Sequence, residues 1–387
     1  MTVSINLRKI FQHLVMAFVV VGTFFYVPAH NLSNDQAIDM GYMAQELFFR
    51  YGVFFVFAFS LFMKPVRSAQ LGLFAIFSVY AILLGINCGF DIQTRRSLLN
   101  LCTAFVFVKS ISDYFETDNL KIVGLWILGV ILFNSAFCVQ QYFKCDPLFQ
   151  ASSASLGFKD SIVGLMKAKV HLGTLVAIVS PFIFNLVPLS VVLAVPLLCV
   201  ANSSAAIAAF ALSIGLLAYF RARKAVFFTS LILIVVASAF YVMKYDMPGG
   251  QFQERFKVWN AVYGIALTSH PFVGNGIGSF AKLNLESEQA TSSELLTWSW
   301  AHNEYVQAFY EFGAIGLAII FFYVKETFKD FWRFKKDRNL QAIFASLLSV
   351  FIISIFHFPF HIGRLAIPCL FTMGLFEARI KDLKNAF

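Results

Sequence analysis

Runs of mostly apolar residues follow one another along this chain and restrict its fold more than any other feature. A helix needs about 20 such residues to cross the hydrocarbon core of a bilayer, and most of the runs approach that length. Backbone N–H and C=O groups find no water in lipid, so runs of this kind fold as helices. Twelve runs can be counted, at residues 10–28, 47–63, 69–87, 97–112, 120–143, 170–187, 188–202, 204–220, 225–243, 304–324, 339–357 and 362–378.

The pattern predicts an all-α fold, a polytopic transmembrane helical bundle of about 12 spans. The composition agrees, because 59% of the residues are hydrophobic and only 13% are charged, whereas soluble domains carry roughly 25% charged residues. Pro181, Pro188 and Pro196 interrupt the region of the seventh and eighth runs, so a kinked or re-entrant hairpin remains an alternative to two clean spans. The first run follows Arg8 and Lys9 but lacks a small-residue cleavage site, and is interpreted as a retained span.

The net charge of +9 indicates orientation in the membrane rather than a nucleic-acid partner. Nucleic-acid binding needs Lys and Arg gathered on one solvated face beside aromatic or groove-reading elements. Here most of them lie in short loops on one side of the runs, including 221–224, 325–338 and 379–384. Short cytoplasmic loops of membrane proteins carry the Lys and Arg excess, so both ends of the chain are predicted to be cytoplasmic.

Two long polar segments, 144–169 and 244–301, fall on the opposite, outward face. Long loops in compact proteins are usually functional or disordered. Disorder is disfavoured for the second segment, because its stretch 251–268 is amphipathic and predicts a helix at the membrane surface. The apolar residues that recur there at helical spacing are Phe252, Phe256, Trp259, Tyr263 and Leu267.

Candidate functional residues gather at the edges of these outward segments. Polar groups against a membrane core are costly unless they are paired or solvated, so they often mark functional sites. Arg255 precedes Trp259 by one helical turn, and His302 comes just before a predicted span. Three further cationic or titratable residues precede another span on the same face: Lys167, Lys169 and His171. The chain then divides into an N-terminal bundle of about nine spans at 1–243, an outward catalytic loop at 244–303, and C-terminal spans with a cytoplasmic tail at 304–387.

The glycine-rich stretch 274–280 is similar to a phosphate-binding loop only superficially, because no strand precedes it. A tight turn at the membrane surface is the stronger interpretation. Its backbone N–H groups, including that of Gly276, could still approach a lipid-linked phosphate.

No metal site and no soluble cofactor are predicted. His357 and His361 have the spacing of two ligands on one helix face, but Pro359 lies between them and breaks the helix. An interfacial turn with Arg364 facing water is preferred. The six cysteines are scattered without a C-x-x-C pair, and the outward segments contain no aspartate cluster or nucleotide loop.

Two stretches, 255–280 and 301–322, together resemble the O-antigen ligase and polymerase superfamily. The family pattern is an Arg and a Trp on an outward helix, a proline-aromatic-glycine turn, and a His-Asn-x-Tyr that opens a span. The matching residues are Arg255, Trp259, Pro271, Phe272, Gly274, Gly276, Gly278, His302, Asn303, Tyr305, Glu311, Gly313, Gly316 and Leu317. One departure is Ser204, which stands where family members commonly carry a second arginine after a serine.

The resemblance implies a multi-pass protein of the bacterial inner membrane with its active site facing the periplasm. Its reaction would transfer a glycan from a polyprenyl-diphosphate carrier to a sugar hydroxyl, with lipid A-core as the preferred acceptor and membrane lipids as surroundings. An O-antigen chain polymerase and a protein O-oligosaccharyltransferase share these motifs. A lipid-linked sugar transporter or flippase is the alternative outside enzymes, although such proteins usually contain an internal repeat and none is visible here.

Roles follow for the matched residues. Arg255 and His302 are the expected catalytic residues, the guanidinium for the departing diphosphate and the imidazole as base for the acceptor hydroxyl. Trp259 and Tyr305 would offer flat faces to sugar rings. Lys167, Lys169 and His171 are hypothesised to replace the missing arginine, although they could equally well face lipid headgroups. The expected substrate-binding set is Lys167, Lys169, His171, Trp259, Asn303, Tyr305 and Gly276.

Overall fold

The computed structural model describes residues 7–24, 34–63, 72–87, 91–118, 120–143, 162, 165–166, 168–187, 192–221, 249–283 and 300–386. Within them the chain is helical and has no strand, which confirms the all-α prediction. The helices are α1 Leu7–Phe24, α2 Asn34–Ser60, α3 Gly72–Asn87, α4 Ile92–Tyr114, α5 Lys121–Tyr142, α6 Lys169–Leu186, α7 Ala194–Ala201, α8 Ser204–Arg221, α9 Gly249–Thr268, α10 Glu304–Phe334, α11 Arg338–Phe356 and α12 Gly363–Asn385. Short 3₁₀ turns lie at Phe280–Lys282 and Pro359–His361.

Six of the described helices are long and apolar enough to cross a membrane: α1, α5, α6, α8, α10 and α11. Eleven of the twelve predicted runs lie on helices, and the run 225–243 falls outside the described residues. The run 188–202 contains only the eight-residue helix α7, which ends where Asn202 adopts a left-handed conformation (φ 46°). Eight residues extend about 12 Å, less than half the hydrocarbon thickness, so α7 is not a complete span.

The core of the bundle surrounds α11, which packs against α6, α8 and α12. Small residues allow these helices to approach closely, as is common between membrane helices. Ser346 on α11 donates a hydrogen bond to the Ile178 carbonyl of α6 (2.6 Å) and lies 3.1 Å from the Thr372 hydroxyl of α12. The three helices are therefore joined by polar contacts at the centre as well as by apolar packing.

A cluster of ion pairs holds together the end of the bundle at which α11 begins. Arg379 of α12 donates two hydrogen bonds to Asp337, at 3.0 and 2.7 Å, and also contacts Asp118. Asp337 caps α11 by accepting from the Leu340 N–H (2.7 Å). Asn339 donates to the Thr117 carbonyl at 3.0 Å. These contacts fix one end of α11, and the candidate site lies at its other end.

The predicted surface helix is present as α9, but its buried face differs from the predicted apolar stripe. Trp259 of that stripe is buried, whereas Phe256, Tyr263 and Leu267 are 45%, 40% and 59% exposed, although the Tyr263 ring lies 5.3 Å from that of Phe309 on α10. The side chain of Phe252 is outside the described residues. The buried face is formed by Val258, Trp259, Val262 and Ala266, which pack with Ala301, Val306 and Tyr310. The smaller Val258, Val262 and Ala266 beside Trp259 allow α9 to lie close to α10.

A break in α10 connects it to the glycine-rich turn. Gly313 has a left-handed φ of 64°, so the regular hydrogen bonding of α10 is interrupted there. The freed carbonyls of Tyr310 and Glu311 accept from the Asn275 and Gly276 N–H groups, each at 2.9 Å. In return, the N–H groups of residues 314 and 315 donate to the carbonyls of residues 271 and 272, at 2.9 and 3.1 Å. The turn is therefore fixed to α10 along both of its sides.

We predict that Gly313→Ala strongly destabilises the protein, because L-residues avoid this φ and the new Cβ would lie 2.4 Å from the Phe272 carbonyl carbon and oxygen. Gly264→Ala on α9 is the matched control, since a Cβ there meets no atom within 4 Å and alanine favours a helix by about 0.5–1 kcal/mol. Thermal unfolding in detergent should give a large decrease in Tm for Gly313→Ala and an unchanged or higher Tm for Gly264→Ala. Equal Tm values for the two variants would contradict the conclusion that hydrogen bonds fix the glycine-rich turn to α10.

Candidate functional site

Four cationic or titratable side chains meet where α11 ends, and we call them the histidine–arginine cluster: His171, Arg255, His302 and His357. Arg255 Nη1 of α9 donates to the Phe356 carbonyl at 2.9 Å. His302 lies edge-on to the Phe358 ring, with the ring centroids 4.5 Å apart. His171, in the first turn of α6, stacks on His357 at a centroid distance of 5.3 Å and an angle of 22°. Segments separated by up to 186 positions in the chain thus form one site.

The backbone on both sides of His302 is fixed by hydrogen bonds. The Trp259 indole N–H donates to the Ala301 carbonyl at 2.8 Å. Asn303 caps α10, since its side-chain oxygen accepts from the N–H groups of Tyr305 and Val306 at 2.9 and 3.1 Å. Tyr305 donates its hydroxyl to a carbonyl of α11, that of Phe351, at 3.1 Å. These bonds connect α9, α10 and α11 around the histidine.

His302 itself adopts a left-handed conformation, with φ of 52°. A non-glycine residue there costs of order 1–3 kcal/mol and persists only where the surrounding structure enforces it. Such strain is concentrated at functional sites. The conformation therefore supports the choice of His302 as a functional residue on grounds independent of its motif.

The environment of the cluster keeps the imidazoles of His302 and His357 neutral. Burial, and then the charge of Arg255, lower the pKa of His302 to about 4. Burial, followed by electrostatic interactions with His171, His302 and Arg255, lowers the pKa of His357 well below its usual value. Burial also lowers the pKa of Arg255 itself. Near neutral pH the site consequently combines the half-buried guanidinium of Arg255 with two neutral imidazoles, those of His302 and His357, that can accept protons.

A second set of polar groups, the carboxylate cluster, lies beside the first: Glu304, Gln307, Glu311 and His361. His361 Nδ1 lies 3.1 Å from a Glu304 carboxylate oxygen, and its Nε2 lies 3.0 Å from Gln307 Nε2. Gln307 also donates to Glu311 at 3.2 Å, and Glu311 accepts from the Gly278 N–H at 3.0 Å. Burial opposes protonation of His361, but Glu304 and Glu311 outweigh it and raise the pKa of His361. This cluster links the glycine-rich turn to the 359–361 turn.

Most of the other predicted site residues form hydrogen bonds within the protein. Trp259, Asn303 and Tyr305 are engaged in the hydrogen bonds described above, and the Trp259 side chain is only 8% exposed. The Gly276 N–H already donates to the Glu311 carbonyl. Lys169 is exposed, and Lys167 lies outside the described residues.

His357 was not predicted as a site residue, and the prediction that Arg364 faces water was wrong. Arg364 does not face water but is 1% exposed, and it donates to the Leu165 carbonyl at 3.0 Å. His357 is 4% exposed. Both lie at helix ends covered by α6 and by the segment before it, which are nearly 200 positions earlier in the chain. No spacing rule relates segments that far apart. Across the described residues, no three His, Cys, Asp or Glu side chains are arranged to hold a metal ion.

We predict that the protein loses stability as the pH falls from about 6.5 to 4, and that His302→Gln reduces this loss. The unfolded chain protonates this histidine near 6.5, whereas the folded protein resists protonation down to about 4. This contribution to stability is therefore complete above pH 6.5 and amounts to about 3 kcal/mol. His357 adds to the effect, and His361, with its raised pKa, opposes it. Tm measured from pH 4.5 to 7.5 tests this prediction, and His270→Gln, at an exposed histidine, is the control. Identical curves for the wild type and His302→Gln would contradict it.

Comparison with known proteins bears on the same region. The family model described as O-antigen ligase matches residues 189–321, about a third of the chain. The matched segment contains Arg255, the glycine-rich turn and His302, but neither His171 nor His357. No curated protein matches the chain. The apolar helices indicate an integral membrane protein, and residues 189–321 are similar to the O-antigen ligase family, in agreement with the resemblance carried by the motifs.

Proposed function

We propose that this protein transfers a glycan from a polyprenyl-diphosphate carrier to a hydroxyl of lipid A-core, as an O-antigen ligase. Similarity to a family of membrane glycosyltransferases supports the reaction class. The observation that carries the proposal is the proximity of Arg255 and His302, in which a half-buried cation lies beside a histidine that stays neutral. Those are the two groups that the reaction needs, one for the leaving diphosphate and one for the acceptor proton.

In the proposed reaction, a hydroxyl oxygen of the acceptor attacks the anomeric carbon of the donor sugar. His302 takes the hydroxyl proton as the new carbon–oxygen bond forms. The bond between the anomeric carbon and the diphosphate oxygen breaks, and the diphosphate leaves with the bonding electrons. Arg255 stabilises the charge on that oxygen. Its guanidinium carries five N–H donors, of which Phe356 accepts one, so others remain for phosphate oxygens.

His171 is the strongest candidate to support Arg255 where Ser204 replaces the expected second arginine. The turn before α8 lies against the first turns of α6, since a Cβ at Gly173 would be 3.1 Å from the Ala201 Cβ and 3.4 Å from the Ser203 Cβ. His171 precedes Gly173 by two residues and already belongs to the histidine–arginine cluster. Lys169, which is exposed at the start of α6, and Lys167 remain further candidates for the same task.

The location of the reaction is part of the proposal. The site would face the periplasm from the bacterial inner membrane, with residues 244–303 as the catalytic loop between the bundle at 1–243 and the spans at 304–387. The apolar side chains that α9 leaves exposed, Phe256, Tyr263 and Leu267, suit contact with the lipid chain of the donor or with the bilayer. Neither a metal ion nor a soluble cofactor is required, since Arg255 supplies the cation and the donor bond supplies the energy.

We predict that His302→Ala abolishes transfer but preserves donor binding, whereas Arg255→Ala weakens donor binding itself. The assay is glycan transfer from a polyprenyl-diphosphate donor by purified protein in detergent, without an ion gradient, combined with a donor-binding measurement. His270→Ala is the control, because this exposed histidine is close in sequence but outside the cluster. Normal transfer by His302→Ala would refute the assignment, and an absence of transfer by the wild-type protein would favour a transporter.

Deletion of the gene distinguishes the ligase from its relatives. We expect polymerised glycan to accumulate on the lipid carrier, because assembly continues while attachment stops. Lipopolysaccharide capped with a single repeat would instead indicate a chain polymerase. Loss of glycan from protein alone would indicate a protein O-oligosaccharyltransferase. Electrophoresis of lipopolysaccharide, together with analysis of the lipid-linked pool, provides the readout.

A further inference from the structure

His357 is a buried polar side chain with unmet hydrogen-bonding capacity. It is 4% exposed, and neither ring nitrogen has a hydrogen-bond partner within the described part of the chain. Leaving a buried donor or acceptor unpaired costs about 1–3 kcal/mol. Such groups are uncommon in folded proteins and call for an explanation. His361, four residues later, differs in that its ring is flanked by Gln307 and Glu304.

The neighbours of His357 surround its ring without satisfying its nitrogens. His171 stacks on the face of the ring, and Phe358 meets it at an angle of 70° with a centroid distance of 4.8 Å. An imidazole forms its hydrogen bonds in the plane of the ring, so a stacked partner cannot provide them. Arg255 is bonded to the carbonyl of Phe356, the residue directly before His357. A ligand held by Arg255 would thus be adjacent to the two unpaired nitrogens.

We propose that His357 is a further donor-binding residue, which hydrogen-bonds the diphosphate beside Arg255 and takes up a proton as the diphosphate binds. This rests on the proposed function. Burial, and then electrostatic interactions with His171, His302 and Arg255 on three different segments, oppose a charge on His357. A bound diphosphate brings negative charges that offset them, so the protonated form becomes favourable. The proton comes from water, and the resulting imidazolium donates to a phosphate oxygen.

The same surroundings argue against two other ligands for His357. A metal ion needs lone pairs that converge on one point, whereas His171 and His357 turn their ring faces toward each other, and the adjacent guanidinium repels a cation. A sugar hydroxyl could bond an imidazole nitrogen but would leave the charge of Arg255 uncompensated. An anion satisfies both groups together.

The test uses the full-length protein in detergent with farnesyl diphosphate as probe and farnesol as the uncharged control. We expect wild-type affinity for farnesyl diphosphate to increase as the pH falls from 8 to 6, by at most tenfold per pH unit for one proton taken up. His357→Gln should weaken binding about tenfold at pH 6 and flatten the dependence on pH. Titration of the probe itself is the same for every variant, so the difference between variants reports on His357. His270→Ala, at an exposed histidine outside the histidine–arginine cluster, is the control and should keep the wild-type slope.

His357→Phe separates binding from folding. Phenylalanine retains a ring for His171 to stack on and removes the two unpaired nitrogens, so we expect a Tm equal to or above that of the wild type together with weakened binding of farnesyl diphosphate. A residue with only a structural role would not give this combination.

Wild-type affinity and an unchanged pH slope in His357→Gln and His357→Phe would overturn the inference. Arg255→Ala distinguishes that result from failure of the proposed function. If Arg255→Ala weakens binding while the His357 variants do not, only the role of His357 is lost. If Arg255→Ala also binds normally, the cluster is not the donor site and both proposals fail.

Discussion

A helix that breaks inside a membrane protein frees carbonyl groups that must find other donors, and the break of α10 at Gly313 finds them in the glycine-rich turn. Hydrogen bonds are exchanged in both directions between 271–276 and 310–315, and they join the glycine-rich turn to α10. Through them the end of α9 is held against α10. Trp259 then reaches the Ala301 carbonyl, and His302 is set beside Arg255. The position of the histidine–arginine cluster therefore depends on backbone pairing more than on contacts among its own side chains.

The cluster is costly for the fold, and the rest of the bundle offsets that cost. A left-handed histidine, a half-buried guanidinium and an imidazole with no hydrogen-bond partner among the described residues are each unfavourable for folding. The centre of the bundle, by contrast, is joined by Ser346 and tightly packed, and the far end of α11 is held by Arg379 and Asp337. One helix thus has an anchored end and an end under strain. Because the stabilising contacts lie at one end of α11 and the site at the other, the site can keep polar groups without hydrogen-bond partners until a substrate binds.

Sequence reasoning was successful where a signal is local. Apolar runs predicted the helices. The sequence motif around residues 255 and 302 predicted two members of the cluster, because residue type and order in the chain can be read directly from a sequence. The α9 helix was also predicted, although its buried face was not. Aromatic residues at helical spacing suggested a packing stripe, but close approach to α10 selected Val258, Val262 and Ala266 instead. The largest apolar residues need not face the protein when the surroundings can be apolar as well.

Prediction failed where the cause lies far away in the chain. Arg364 and His357 were expected in an interfacial turn, and nothing near them in sequence indicates that α6 and residue 165 cover them. Similarly, the sequence suggested that the Gly276 N–H is available for a phosphate. It donates instead to the Glu311 carbonyl, which is freed by the helix break at Gly313, 37 positions later in the chain. Burial of single polar groups follows from which helices meet, and periodicity does not specify that.

The left-handed backbone at His302 also limits how this position can change over evolutionary time. Apart from glycine, only residues such as Asn and Asp adopt that conformation readily, while β-branched residues are strongly disfavoured. Loss of the imidazole is therefore expected to proceed first toward Asn, Asp or Gly, with the surrounding hydrogen bonds kept. A related protein that has lost the activity would still have the backbone conformation of the site. It could be recognised by a small or carboxamide residue between an alanine and an asparagine just before a membrane helix.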